Sequence, residues 1–123
     1  MIIKPTDNVS FGYHSPLKTL WLKGKLPTVK KGFYGDELTI KTVSLEHLQP
    51  KSKGGKSNLE NFVIASKRLN NLRGNQPLDK FIRKDKAREY LYQFIDVKIP
   101  EFDGNRYIRG IINKLKSLNI NLF

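Results

Sequence analysis

The sequence predicts an α+β fold: a two-stranded hairpin running straight into a helix, then two longer amphipathic helices. Two apolar runs, the polar stretch between them and a switch in periodicity predict it. The first run, from Leu38 to Leu45, is rich in β-branched residues (Thr39, Ile40, Thr42, Val43) and reads as a strand or two short ones. After the turn-forming stretch Pro50–Glu60 comes the second, Asn61-Phe62-Val63-Ile64-Ala65-Ser66. Beyond Ala65 the apolar repeat becomes helical. At 123 residues the chain suits one domain. Residues 1–37 read as an N-terminal extension, 38–75 as the core and 76–123 as a helical C-terminal region.

Turn signals crowd the N-terminal part, at Gly12, Pro16, Gly24, Pro27, Gly32 and Gly35. Ser15-Pro16 is a helix start, with serine at the cap and proline at the first helical position. Leu17, Leu20 and Trp21 then make a short stripe that stops near Gly24. The loop between the two central strands is too long for a tight turn, so it should carry internal bonding or a function. Ser66–Arg73 reads as a helix stopped by Gly74 and Pro77. From Leu78 onward, Phe81, Ile82, Tyr90, Leu91, Phe94 and Ile95 predict one amphipathic helix of about 18–20 residues, with the region ending at Pro100. A last helix is expected over about Asn105–Leu118, burying Tyr107, Ile108, Ile111, Ile112, Leu115 and Leu118.

Lysine and arginine total 23 against 11 acidic residues, a net charge of +12. The excess is spread along the whole chain rather than held in a tail. Such a surface is drawn to polyanions, of which nucleic acid is the commonest. No apolar run is long enough to span a membrane, and Met1-Ile2-Ile3-Lys4-Pro5 lacks the apolar core of a signal peptide. The absence of cysteine excludes disulfides, cysteine-ligated zinc and thiol catalysis. A cytoplasmic protein with no membrane partner is expected.

The chemistry concentrates at Glu46-His47, at the end of the first strand. Pro50-Lys51-Ser52-Lys53-Gly54-Gly55 follows in the loop, then Asn58-x-x-Asn61, then Asn70-x-x-Arg73-Gly74 on the helix. Metal-assisted phosphodiester cleavage needs a carboxylate for a hard cation, a base titrating near neutrality and positive charge for phosphate. In residue type, spacing and element order, residues 43–75 resemble the HNH endonuclease family, whose ββα-metal (His-Me finger) core runs strand, loop, strand, helix. The resemblance implies hydrolysis of DNA, double-stranded DNA foremost, with His47 as general base. It implies Glu46 and Asn70 as ligands of one divalent metal, Mg²⁺ or else Mn²⁺, that stabilises the leaving 3′ oxygen. Asn61 would brace the loop. Asn70 is chosen over Asn71 because Asn-x-x-Arg-Gly begins there, nine residues after Asn61.

Lys51, Lys53 and Lys56 in the loop, with Lys67 and Arg73 on the helix, are the candidate phosphate contacts. Two departures from the family stand out. Many members carry aspartate at the position of Glu46, and Ser66 and Leu69 stand where zinc-binding cysteines would. Packing by the C-terminal helices must replace the zinc. A dimer is one arrangement that would cut both strands, and a phage or mobile element is a compatible setting. His14 reads as a turn residue. The competing readings are a catalytically silent nucleic-acid-binding module of the same fold and, behind it, a basic structural protein that binds RNA.

Overall fold

β1 (Val43–His47) and β2 (Phe62–Ser66) pair antiparallel, with Val43 opposite Ser66, Glu46 opposite Val63 and His47 opposite Phe62. The computed structural model describes residues 31–38, 42–49, 54, 59–74, 76–99 and 102–123. Every residue of β2 is buried, so both faces of this strand are covered. That explains its unbroken apolar sequence. A two-stranded hairpin is marginal alone, and here the second edge of β2 is closed by other parts of the chain. The backbone N–H of Phe33 donates to the Ile64 carbonyl at 2.8 Å. The Ile64 N–H donates to the Tyr90 hydroxyl at 3.0 Å, and the Tyr107 hydroxyl donates to the Phe62 carbonyl at 2.7 Å. The two hydroxyls are 2.9 Å apart. Because the Tyr107 proton is committed to Phe62, Tyr90 donates to Tyr107. Burial pushes the Tyr90 phenol up to about 12 and that of Tyr107 well above its ordinary value, which keeps both as donors.

Tyr107→Phe is therefore expected to lower stability by about 1–3 kcal/mol, because it leaves the Phe62 carbonyl without this donor and the Tyr90 hydroxyl without its acceptor. Urea denaturation measures this. A loss below about 0.5 kcal/mol, the size of an ordinary surface substitution, would contradict the role given to the pair.

The helix α1 (Lys67–Arg73) begins with no intervening loop. Ser66 caps it, its hydroxyl accepting from the Leu69 N–H at 3.2 Å, and Gly74 ends it at φ 50°, in the left-handed region. Then follow α2 (Leu78–Phe81), α3 (Lys84–Tyr92), a hairpin of β3 (Lys98–Ile99) with β4 (Phe102–Asp103), and α4 (Gly104–Ser117). The class is α+β: a two-stranded antiparallel sheet, a second minimal hairpin and four helices among the described residues.

The single helix expected from Leu78 is instead two. Ile82 is extended at ψ 141° and Arg83 is extended too, so the chain restarts at Lys84. The reason is a slip of phase. Continuing the stripe of Leu78, Phe81 and Ile82 at helical spacing would bury Asp85 and Glu89. The restart instead turns Ala87, Tyr90, Leu91 and Phe94 inward, while Asp85 and Glu89 stay exposed.

Asp103 caps α4, accepting from the Arg106 N–H at 3.1 Å, and Tyr107, Ile111 and Leu115 form its buried stripe. Gly104 is required where it stands, since a Cβ there would lie 1.9 Å from the Phe94 carbonyl oxygen. The shared core joins Phe33, Leu38, β2, Tyr90, Phe94, Tyr107 and Ile111. Among the described residues no helix is long and apolar enough to cross a membrane. The helix expected at Ser15-Pro16, His14 and the loop lysines Lys51, Lys53 and Lys56 lie outside the described residues.

Candidate active site

Successive strand residues point to opposite faces, so Ser44 and Glu46 share one side of β1. That side meets α1. Glu46 is only 7% exposed. Its Oε2 accepts from the Tyr34 hydroxyl at 2.9 Å and lies 3.5 Å from the Arg73 guanidinium. Burial pushes the Glu46 carboxyl above its ordinary value of 4.5; Arg73 and Tyr34 oppose that push without cancelling it. The same surroundings push the Tyr34 phenol upward, through burial and the adjacent carboxylate, so Tyr34 stays a donor.

Asn70 faces this carboxylate. An amide can be seated in either of two orientations, and neighbouring groups decide between them. With nitrogen toward Glu46 it donates to both carboxylate oxygens at 2.9 Å. With oxygen toward Glu46, its nitrogen donates instead to the Ser44 hydroxyl at 3.3 Å. The neighbours favour the first orientation, since the second would set an amide oxygen against two carboxylate oxygens. A carboxylate and an amide oxygen are donors of the class a hard divalent ion takes, and here the pair is joined by hydrogen bonds from the amide nitrogen. Among the described residues no group of three or more His, Cys, Asp and Glu side chains gathers. The pair would therefore rely on water and phosphate oxygens to complete the shell, as Mg²⁺ commonly does. Asn71 is exposed, so the structure separates the two tandem asparagines.

His47 leaves the strand on the face opposite Glu46. Its ring is half-buried and stands edge-on against Phe62, with centroids 4.6 Å apart, and its Nε2 is shielded from solvent. The chain just beyond it is pinned. Asn61 is fully buried; its Oδ1 accepts from the Gln49 N–H at 2.9 Å and its Nδ2 donates to the Gln49 carbonyl at 3.0 Å. The Leu48 N–H donates to the Asn61 carbonyl at 2.9 Å. Asn61 therefore clamps the two ends of the loop together, directly after His47. From α4, the Lys114 ammonium reaches the Gln49 side chain at 2.6 Å.

Arg73 differs from the phosphate contact expected of it. It is 4% exposed and its guanidinium faces inward. Nη1 donates to the His47 carbonyl at 3.1 Å, Nη2 to Leu48 at 3.2 Å and Nε to Gln76 at 3.2 Å. With Glu46 beside it, this buried arginine fastens the end of β1 to α1 and does not present its guanidinium to the surface. Lys67, six residues earlier at the start of α1, is exposed and remains available. In the loop, Gly54 is exposed at φ 88°.

Two contributors to the site carried no sequence signal strong enough to single them out. Tyr34 comes from a turn twelve residues before its carboxylate partner. Ser44 was reachable in principle, since the two-residue period of a strand places it on the face of Glu46. A scan against protein-family models found no match, and searches of curated proteins and of solved structures found none either.

Proposed function

We propose that the chain is a metal-dependent HNH-type endonuclease hydrolysing DNA phosphodiester bonds on a ββα-metal core of β1, β2 and α1. The observation that supports this reading is that Glu46 at the end of β1 and Asn70 on α1 face each other, with His47 the next residue along the strand but on its other face. In this reading His47 accepts the proton of the attacking water, which adds to phosphorus as the bond to the 3′ oxygen breaks. Asn61 holds the backbone that aims His47. Glu46 and Asn70 hold one divalent ion, Mg²⁺ or Mn²⁺, which when bound supplies Lewis-acid stabilisation of the departing oxygen. Lys51, Lys53, Lys56 and Lys67 contact phosphates.

The test is cleavage of supercoiled plasmid with a panel of divalent metals. Nicking or linearisation is expected with Mg²⁺ or Mn²⁺, abolished by EDTA and reduced about 10²–10⁴-fold in His47→Ala, the range for loss of a general base. Intact plasmid, linear duplex and single strands under every metal would refute the enzyme.

One observation favours a second reading, a silent nucleic-acid-binding module. Glu46 Oε2 is already engaged by Tyr34 and Arg73, and His47 Nε2 is shielded from solvent. That reading predicts salt-sensitive DNA binding by wild type and His47→Ala alike, with no cleavage by either.

A further inference from the structure

The exposed face of α4 is basic and carries no carboxylate of its own. Arg106, Arg109, Asn113 and Lys116 are exposed, and at helical spacing they fall within one face, opposite the buried Tyr107, Ile111 and Leu115. No ion pair among the described residues involves Arg106, Arg109 or Lys116. The cations around α3 are different. Asp79, Asp85 and Glu89 interrupt them, Lys86 pairs with Glu89 at 3.6 Å, and Arg88 donates to the Leu122 carbonyl at 2.6 Å.

The row is also placed beside the candidate site. One flank of α4 lies against the mouth of the β1–β2 loop, through Lys114 on Gln49 and Gly110 against Glu60. Glu60 meets Gly110, which adjoins Arg106 and Arg109, and forms no ion pair with either among the described residues. From Arg106 to Lys116 the row runs about 15 Å at the helical rise, the axial length of about four phosphates of one strand.

We infer that the Arg106–Arg109–Lys116 face of α4 is a docking surface for the sugar-phosphate backbone of duplex DNA flanking the cleavage site. This rests on the nuclease reading for its partner and extends it beyond the ββα residues. Three cations at helical spacing on a rigid element track a regular phosphate row, and among the described residues no carboxylate forms an ion pair with any of them. Phosphate contacts of this kind fix register and orientation, not sequence.

The test is equilibrium binding of a short labelled DNA duplex across a salt series, with EDTA present so that binding is read without cleavage. Compared are wild type, the triple variant Arg106→Ala/Arg109→Ala/Lys116→Ala, and Lys80→Ala/Arg83→Ala/Lys84→Ala, which removes equal charge from the α2–α3 segment. The α4 variant is expected to melt like wild type and to bind more weakly. Its slope of log affinity against log salt should be shallower by about 2.7, from three lost phosphate contacts. The α2–α3 variant should keep a slope close to wild type. An unchanged slope in the α4 variant, an equal fall in both variants, or tighter binding of duplex RNA than DNA by the wild type would overturn the proposal. Plasmid cleavage separates the two readings: cleavage with an unchanged slope removes the docking surface alone, while a shallower slope without cleavage removes the nuclease alone.

Discussion

Arg73→Ala is expected to destabilise the fold by about 3–5 kcal/mol, the cost of removing one partner from a buried ion pair. The guanidinium is enclosed, it serves the carbonyls of His47, Leu48 and Gln76, and it lies 3.5 Å from Glu46. Alanine removes the Arg73 donor from those carbonyls and, above all, leaves a buried carboxylate without its cationic partner. Urea denaturation at neutral pH measures the loss, and a double-mutant cycle locates it. Adding Glu46→Gln to Arg73→Ala should restore part of the stability, because the uncompensated charge is gone. If the double variant is no more stable than Arg73→Ala alone, the carboxylate is not the source of the penalty.

Glu46→Gln by itself is expected to cost less stability than Arg73→Ala, because Arg73 keeps three carbonyl acceptors while the burial cost of the carboxylate charge is removed, and to abolish metal-dependent cleavage. Burial raises the Glu46 carboxyl above 4.5 even with Arg73 beside it. The folded state therefore holds the proton more tightly than the unfolded chain does. By linkage the contribution of Glu46 to stability is greatest below the ordinary carboxylate value. It falls as pH rises from there through the elevated value of the folded state, and is level above that. A glutamine mimics the protonated acid at every pH. Denaturation from pH 4 to pH 8 should thus show the variant gaining on wild type as pH rises. A variant as unstable at neutral pH as Arg73→Ala would mean that Glu46 serves chiefly as a structural counter-ion to Arg73.

Much of the central hairpin and its helix could be read from local pattern. The apolar run of β2, the Ser66 cap and the Gly74 stop are short-range signals, and the structure uses each of them. The last helix was legible for the same reason, its stripe keeping one phase from Tyr107 to Leu115. The helix break at Ile82–Arg83 was missed because it carries neither glycine nor proline; only the misplacement of Asp85 and Glu89 betrays it. The closure of β2 by Tyr90 and Tyr107 was not legible at all, since it joins residues 26 and 45 positions apart in the chain. Arg73 was misread for a related cause. On a basic surface an arginine after an asparagine reads as a phosphate contact, and only the fold reveals that three carbonyls already claim it.

The pairing of Glu46 with Asn70 is the most exposed point of the account. It is tested by the rate of cleavage of a defined DNA duplex as a function of Mn²⁺ concentration, for wild type, Glu46→Gln and Asn70→Ala. The wild-type rate should rise to saturation with Mn²⁺, and both variants should either lose turnover or require at least tenfold more metal, the shortfall expected when a ligand or its close support is removed. Cleavage by the two variants with the same Mn²⁺ dependence as wild type would contradict a metal site built on these residues.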